Sequence, residues 1–233
     1  MSLGLAIVGY GKMGRLIEQL APEYGFDVRA KFDSKNNVCG EGLTRESLRG
    51  VDVAVEFSTP HAAGPNIQRL AAAGVNAAVG TTGWLEQLPA ARDAVTQSRT
   101  GLVWAPNFSV GVNLFLQAVA YTASLFARQQ EYDAWGWEIH HAAKKDASGT
   151  LRKLAEVMQT SGYGRAVNLS SNRAGAHPGT HEIGFDSVAD TITLRHTARS
   201  REGFARGALR AARWVAGKKG VFEFCEIVGE LAS

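Results

Sequence analysis

A glycine run set between a strand and a helix constrains this chain more than any other feature. Residues 5–8, Leu-Ala-Ile-Val, lead directly into Gly9-Tyr10-Gly11-Lys12-Met13-Gly14, and Leu16, Ile17 and Leu20 then recur at helical spacing. The first glycine permits a tight turn, the second lets a pyrophosphate approach the backbone, and Gly14 lets the helix pack closely on the strand. The motif alone is weak, and its surroundings strengthen it. A second strand, predicted over 28–32, ends at Asp33, nineteen residues beyond Gly14, close to the offset at which a carboxylate meets a dinucleotide ribose. The alternation continues with strand 51–57, helix 66–73, strand 75–79, helix 86–96 and strand 102–104. Repeated βα units predict an α/β fold with an N-terminal Rossmann-type, doubly wound parallel sheet. Its ligand lies beyond the carboxyl ends of the strands.

Three loops fall at those ends: Ser58-Thr59-Pro60, Gly80-Thr81-Thr82-Gly83 and Ala105-Pro106-Asn107-Phe108. Their small and polar residues suit contacts to ribose and nicotinamide, and equally suit ordinary turns. Asp33 reads as the ribose ligand or as a solvated turn residue. As a ligand it favours NADH, because a carboxylate accepts hydrogen bonds from the 2′-hydroxyl and repels a 2′-phosphate. Lys12 and Lys35 could neutralise such a phosphate and leave NADPH possible.

Beyond a long apolar helix at about 112–127 the pattern changes. Strands at 136–141, 166–171, 181–185 and 191–196 follow with less helix between them, which predicts a smaller α+β domain with a mixed, largely open sheet. A helix at about 201–216 and a segment at 221–228 return to the first sheet. The expected domains are thus 1–110 with 207–233 for the dinucleotide, and 111–206 for substrate and oligomerisation.

Residues 138–150 carry the densest chemistry. Trp135, Trp137 and Ile139 alternate with Gly136, Glu138 and His140, a strand pattern that puts Glu138 and His140 on one face and His141 on the other. Leu151, Leu154, Ala155 and Met158 then recur at helical spacing until Gly162. At the junction, Ser148-Gly149-Thr150, open backbone N–H groups suit a carboxylate or phosphate, and Lys144 supplies a full charge beside them. Histidines at a strand end are often structural, and Ser-Gly-Thr is an ordinary cap. Their combination with Lys144 favours an active site.

Composition excludes several classes. At 233 residues and 45% apolar content the chain can bury a proper core. The net charge of +3 comes from scattered Lys and Arg, which gives no support to a nucleic-acid partner. Cys39 and Cys225 form no C-x-x-C pair, so neither a disulfide framework nor a metal site is expected. No apolar run reaches membrane-spanning length and the first residues enter a strand at once, so the expectation is a cytoplasmic protein without a membrane partner.

Seven blocks in order, at 9–14, 55–60, 80–83, 105–113, 138–150, 173–181 and 196–205, resemble the 4-hydroxy-tetrahydrodipicolinate (dihydrodipicolinate) reductase family of lysine and diaminopimelate biosynthesis. The resemblance implies hydride transfer from NAD(P)H to a cyclic dicarboxylate imine, with loss of water, to give tetrahydrodipicolinate. It implies His140 as general acid/base and Lys144 as second proton donor, with His141, Ser148, Gly149 and Thr150 holding substrate. It places the cofactor on Gly9, Tyr10, Gly11, Lys12, Met13, Gly14, Asp33, Gly80, Thr81, Thr82, Ala105, Pro106, Asn107 and Phe108, with Phe57 near the nicotinamide. Block 173–181 either orders around the site or forms a long turn, and His196 is expected to be structural or interfacial. A homotetramer built through the second sheet is also implied. The chain departs from the family in lacking the proline usual between Ala147 and Ser148, which predicts a looser or re-aimed loop. Ala142 and Ala143 stand where basic or imidazole side chains are common, lowering the local positive potential. Two other readings are a related Rossmann reductase for another imine or aldehyde, and a dinucleotide-binding homologue without chemistry. The intact His140, Lys144 and Ser148–Thr150 set disfavours the last.

Overall fold

The computed structural model describes residues 2–231, without the side chain of Cys39. The expectation about cysteine pairing therefore turns partly on a side chain outside the described residues. Two compact units emerge, one running to Ser109 and resuming at Phe204, the other spanning Val110–Gly203.

The first unit runs β1 (Leu3–Val8), α1 (Lys12–Leu20), β2 (Phe26–Phe32), β3 (Val53–Glu56), α2 (Pro60–Ala72), β4 (Asn76–Val79), α3 (Leu88–Ser98) and β5 (Gly101–Trp104). The second contributes α4 (Val110–Phe126), β6 (Asp133–His140), α5 (Gly149–Thr160), β7 (Val167–Arg173), β8 (Thr180–Asp186) and β9 (Thr191–Thr197). The chain then forms α6 (Glu202–Val215), β10 (Gly220–Glu223) and the short α7 (Phe224–Ile227).

In the first unit six parallel strands lie in the order β10-β5-β4-β3-β1-β2, the Rossmann-type sheet that the alternation predicts. Strands β1, β3 and β4 read as apolar runs because they are buried on both faces, where a half-exposed strand would alternate. Asn76 is the polar exception. Its amide donates to Val215 O at 3.1 Å and its carbonyl accepts from Gly101 N at 2.7 Å, so a buried group is satisfied while it pins β5 to the end of α6. β1 sits between β2 and β3, so the strand order reverses there, which opens a crevice at the carboxyl ends. Gly9 makes the exit from β1 possible. Its φ is +95°, and a Cβ there would stand 2.2 Å from Phe57 O. Gly11 precedes α1 with no side-chain cap, which leaves the first N–H groups of the helix for an anion.

The second unit holds a mixed sheet, β7-β6-β8-β9, with β6 and β7 parallel and the other pairs antiparallel. Phe115, Val119 and Ala123 of α4 and Leu154 and Met158 of α5 pack with Ala134, Tyr163, Ile183 and Phe185 on one face. Phe185 is fully buried, stacked on Phe126 at 4.5 Å and edge-on to Tyr163 at 5.7 Å; truncating such a ring costs about 3–5 kcal/mol. Strand register decides the rest. Glu138 stands opposite Ser171 on one side and His181 on the other, His140 opposite Arg173, and His181 opposite His196. Six polar side chains thus share one end of the helix-covered face. Among the described residues no helix is long and apolar enough to cross a membrane.

Candidate active site

Two hollows open at the carboxyl ends of the first sheet. One of about 560 Å³ is bordered by Gly9, Tyr10, Gly11, Asp33, Phe57 and Ser58, and one of about 460 Å³ by Lys12, Met13, Phe57, Gly80, Thr81 and Thr82. Asp33 forms an Asx turn, its Oδ1 accepting the N–H groups of Lys35 at 2.8 Å and Asn36 at 3.3 Å. Gly14 is buried in α1. The family-derived contacts at 105–108 fall into two pairs by burial. Ala105 and Phe108 are buried, and Phe108 packs edge-on to Phe224 at 4.9 Å and against Phe57 at 6.2 Å. Phe108 is a core residue beneath Phe57, and Pro106 and Asn107 are the members of that loop that reach the surface.

A buried acid that the motifs did not mark lies under these loops. Glu56, at the end of β3, is fully buried and accepts from Ser58 N and Asn66 Nδ2, both at 3.2 Å, and from the Ser58 hydroxyl. Burial raises its pKa, and the hydrogen bonds from Ser58, Thr81 and Asn66 oppose the rise. Asn66 also accepts from Asn37 Nδ2 at 3.0 Å, which ties the loop after β2 to α2.

In the second unit Glu138 is the hub. It is fully buried, and its Oε1 accepts from Ser148 N at 3.0 Å, Ser171 Oγ at 3.0 Å and Arg173 Nη2 at 3.1 Å. Its Oε2 lies 3.5 Å from His140 Nδ1 and 3.4 Å from His181 Nε2. Ser148 caps α5, its Oγ accepting from Leu151 N at 3.0 Å and lying 2.8 Å from His181 Nε2. The N–H and hydroxyl of Ser148 are thus engaged inside the protein; Gly149 is the exposed residue of the junction and Thr150 is half-buried beside it. A Cβ at Gly149 would meet nothing within 4 Å, so the approach there is open. His141 differs from expectation. β6 ends at His140, and His141 starts a turn in which its carbonyl accepts from Lys144 N at 3.1 Å.

The loop that lacks a proline is held another way. Arg173 Nε donates to Lys144 O at 2.9 Å and its Nη2 to Asp146 O at 2.8 Å, while Nη2 also meets Glu138. One guanidinium ties the loop to the cluster. Among the described residues no carboxylate lies within ion-pair distance of the Lys144 ammonium, and its backbone is anchored. Block 173–181 joins β7 to β8 and orders at the site through both of its ends. His196 stacks on Phe115 at 5.9 Å, a packing role.

Burial works to raise the Glu138 pKa, but the hydrogen bonds from Ser148 and Ser171 and the charge of His140 outweigh it and hold the carboxyl at about 2. Burial pushes His181 down to about 4, aided by His140 and opposed by Glu138. His140 is also lowered by burial; Glu138 opposes this, while Lys144, Arg173 and His141 add to it. Oε2 of Glu138 and the two imidazoles lie within 4.8 Å of one another, a spacing that a cation could bridge. With Arg173 already on the same carboxylate, that positive charge would oppose a metal, and the cluster reads as hydrogen-bonded.

Both shifts make the folded chain bind protons less readily than the unfolded one. Stability conferred by His181 is therefore present above its ordinary 6.5 and lost as pH falls toward 4, and that of Glu138 is present above 4.5 and lost toward 2. Each step amounts to about 3 kcal/mol when complete. Urea unfolding midpoints are expected to fall between pH ~6.5 and ~4 and again below ~4.5, with His181→Gln reducing the first decline, to which the lowered His140 and His196 also contribute. A first decline left at full size in His181→Gln would refute the assignment.

Sequence reasoning placed Glu138 and His140 on one face but gave Glu138 no role, and it left Arg173 and His181 in an undecided block. The alternation His181, Ile183, Phe185 was the available signal, since it puts His181 on the apolar, helix-covered face.

Two family models span the chain: one described as dihydrodipicolinate reductase, N-terminus, matches residues 3–108, and one described as dihydrodipicolinate reductase, C-terminus, matches residues 111–228. The 4-hydroxy-tetrahydrodipicolinate reductase of Thiobacillus denitrificans is 33% identical, covering 98% of this chain and 99% of its own. That of Christiangramia forsetii is 30% identical at the same coverage. A dipicolinate-bound dihydrodipicolinate reductase from Paenisporosarcina has a similar fold, with a TM-score of 0.81 at 23% identity over 96% of this chain and 98% of that one.

Proposed function

Because the chain belongs to the dihydrodipicolinate reductase family, we propose that it reduces 4-hydroxy-tetrahydrodipicolinate to tetrahydrodipicolinate with NAD(P)H in lysine and diaminopimelate biosynthesis. The observation that carries the reading at the level of residues is Lys144, an ammonium with no carboxylate partner among the described residues, close in sequence to His140 and to the open start of α5. A substrate with two carboxylates and a ring nitrogen needs such a combination.

Glycines 9, 11 and 14, the open helix start after Gly11 and the two hollows suit a dinucleotide. The pyrophosphate would lie on the N–H groups of α1, with Phe57, Gly80, Thr81 and Thr82 toward the nicotinamide. When bound, the dihydronicotinamide supplies a hydride and no proton. The protein must supply the rest. Loss of the substrate hydroxyl as water leaves a carbon–carbon double bond conjugated with the ring imine, and reduction there drives an electron pair toward the nitrogen. His140 is the group suited to exchange a proton with that system, since an imidazole titrates near neutral pH. Lys144 pairs with a carboxylate or donates a second proton, and the N–H groups of Gly149 and Thr150, with His141, hold the other anion. Ser148 supports this set from inside.

Asp33 keeps Oδ2 for a ribose hydroxyl while Oδ1 holds the turn, and the preferred cofactor is accordingly NADH, with NADPH accepted. A carboxylate facing a doubly charged phosphate at roughly 5–6 Å in water costs about 1.5 kcal/mol. Asp33→Asn is therefore expected to raise relative use of NADPH about tenfold. An unmoved ratio would leave Asp33 with the turn alone. The active form is a cytoplasmic homotetramer by family resemblance, and light scattering at four times the chain mass tests the assembly. The function itself is tested by adding purified protein to enzymatically generated 4-hydroxy-tetrahydrodipicolinate. Loss of cofactor absorbance that depends on both substrate and protein supports it, and no loss with either NADH or NADPH sinks it.

A further inference from the structure

Glu138 is an odd residue to find fully buried in an acid–base site, because its two oxygens face different groups. Oε1 is saturated by Ser148 N, Ser171 Oγ and Arg173. Oε2 faces two imidazoles and takes a longer share of the Ser148 N–H at 3.2 Å. Proton bookkeeping separates those two. Ser148 Oγ accepts from Leu151 N at 3.0 Å, which leaves its own hydroxyl proton and one lone pair for other contacts. The contact of 2.8 Å to His181 Nε2 is one in which His181 donates, because a proton on its other ring nitrogen would be buried without an acceptor. His181 is thus occupied, and its Nδ1 is buried without a partner, which is tolerable for a bare lone pair and costly for an N–H.

His140 has different surroundings. The charged and titratable groups around its ring are Glu138 on its own strand, Arg173 from β7, His181 from β8, and His141 and Lys144 from the turn that follows. Glu138 is the anion among them. The Nδ1 atom is buried with no hydrogen-bond partner closer than Oε2 at 3.5 Å, a distance of the kind that tightens when a site is engaged. The opposite ring nitrogen, Nε2, borders Gly179. A Cβ at Gly179 would come within 2.9 Å of Nε2, and the φ of +136° disfavours a side chain there in any case.

We infer that Glu138 is a positioning residue for His140: its Oε2 selects the Nδ1–H tautomer of the imidazole and leaves Nε2, kept clear by Gly179, as the atom that exchanges a proton with a ligand. The inference rests on His140 being the acid/base of the proposed function. Because Oε1 is locked by three donors, the carboxylate cannot turn away, and its charge bears on the imidazole that His181 and Ser148 leave unserved.

Imidazole-nitrogen NMR of the full chain, labelled at histidine and recorded without substrate, tests this directly, with His140 assigned through His140→Gln. Neutral His140 in the wild-type chain is expected to carry its proton on Nδ1; a dominant Nε2–H form would overturn the inference. In Glu138→Gln the titration midpoint of His140 is expected to move to lower pH by about one unit, since the nearby anion that favours the charged ring is gone. Glu138→Asp, which keeps the charge, is expected to restore most of it. A midpoint unchanged in Glu138→Gln would give Glu138 a purely structural role and overturn the inference as well. If either variant fails to fold, the wild-type tautomer still decides. Both readouts are independent of turnover, so a chain without reductase activity would sink the proposed function while these spectra judged Glu138 separately.

Discussion

Replacing His140 or Lys144 by alanine is expected to lower kcat/KM for 4-hydroxy-tetrahydrodipicolinate by ~10²–10⁴-fold, the range supplied by one placed proton donor or acceptor. The two losses should differ in kind. His140 acts only as bonds change, so its removal should fall on kcat. Lys144 also meets a ground-state carboxylate, so Lys144→Ala should raise KM in addition. Affinity for NADH is expected to change less than about twofold, because the hollows at Gly9–Phe57 and Lys12–Thr82 take no residue from the 138–150 segment. Steady-state kinetics with calorimetric titration of NADH separates these effects. A variant at either position with turnover within about tenfold of wild type would remove that residue from the proton-transfer set.

The other large effect is on stability. Glu138→Ala would leave Arg173, the N–H of Ser148 and the hydroxyl of Ser171 without their shared acceptor. Breaking a buried ion pair from one side costs about 3–5 kcal/mol, because the surviving charge stays desolvated. The consequence spreads through Arg173, which also holds the carbonyls of Lys144 and Asp146. Urea denaturation of Glu138→Ala is therefore expected to show a loss of that size, and Glu138→Gln, which keeps an acceptor at Oε1, a smaller one. A cost below about 1 kcal/mol for alanine would mean that the cluster is not the anchor of this loop.

The legible parts of the fold were those in which sequence neighbours share one environment. β1, β3 and β4 are buried on both faces, so each is an apolar run, and the glycine turn after β1 is a local steric necessity. The legible parts of the site were likewise local: His140, Lys144 and the start of α5 lie within a dozen residues. What escaped depends on register. Arg173 is 35 residues from Glu138 in sequence, and nothing short of the β6–β7 pairing brings it to the carboxylate. The packing of Phe108 was illegible for the same reason, since the ring edge-on to it, Phe224, comes from the far end of the chain. The internal partner of Ser148 was hidden for a related reason. The motif is right for an anion cradle, and the anion it meets first is one of the protein's own.

The central claim is a hydride passed from a dihydronicotinamide to a ring made electron-poor by its imine. Reaction with NADH deuterated at the transferred position, followed by mass spectrometry of the tetrahydrodipicolinate formed, tests it most directly. One deuterium per product molecule, bound to carbon and retained on exchange into ordinary water, is the expected result. Product without label, or label left on the cofactor while substrate is consumed, would contradict it.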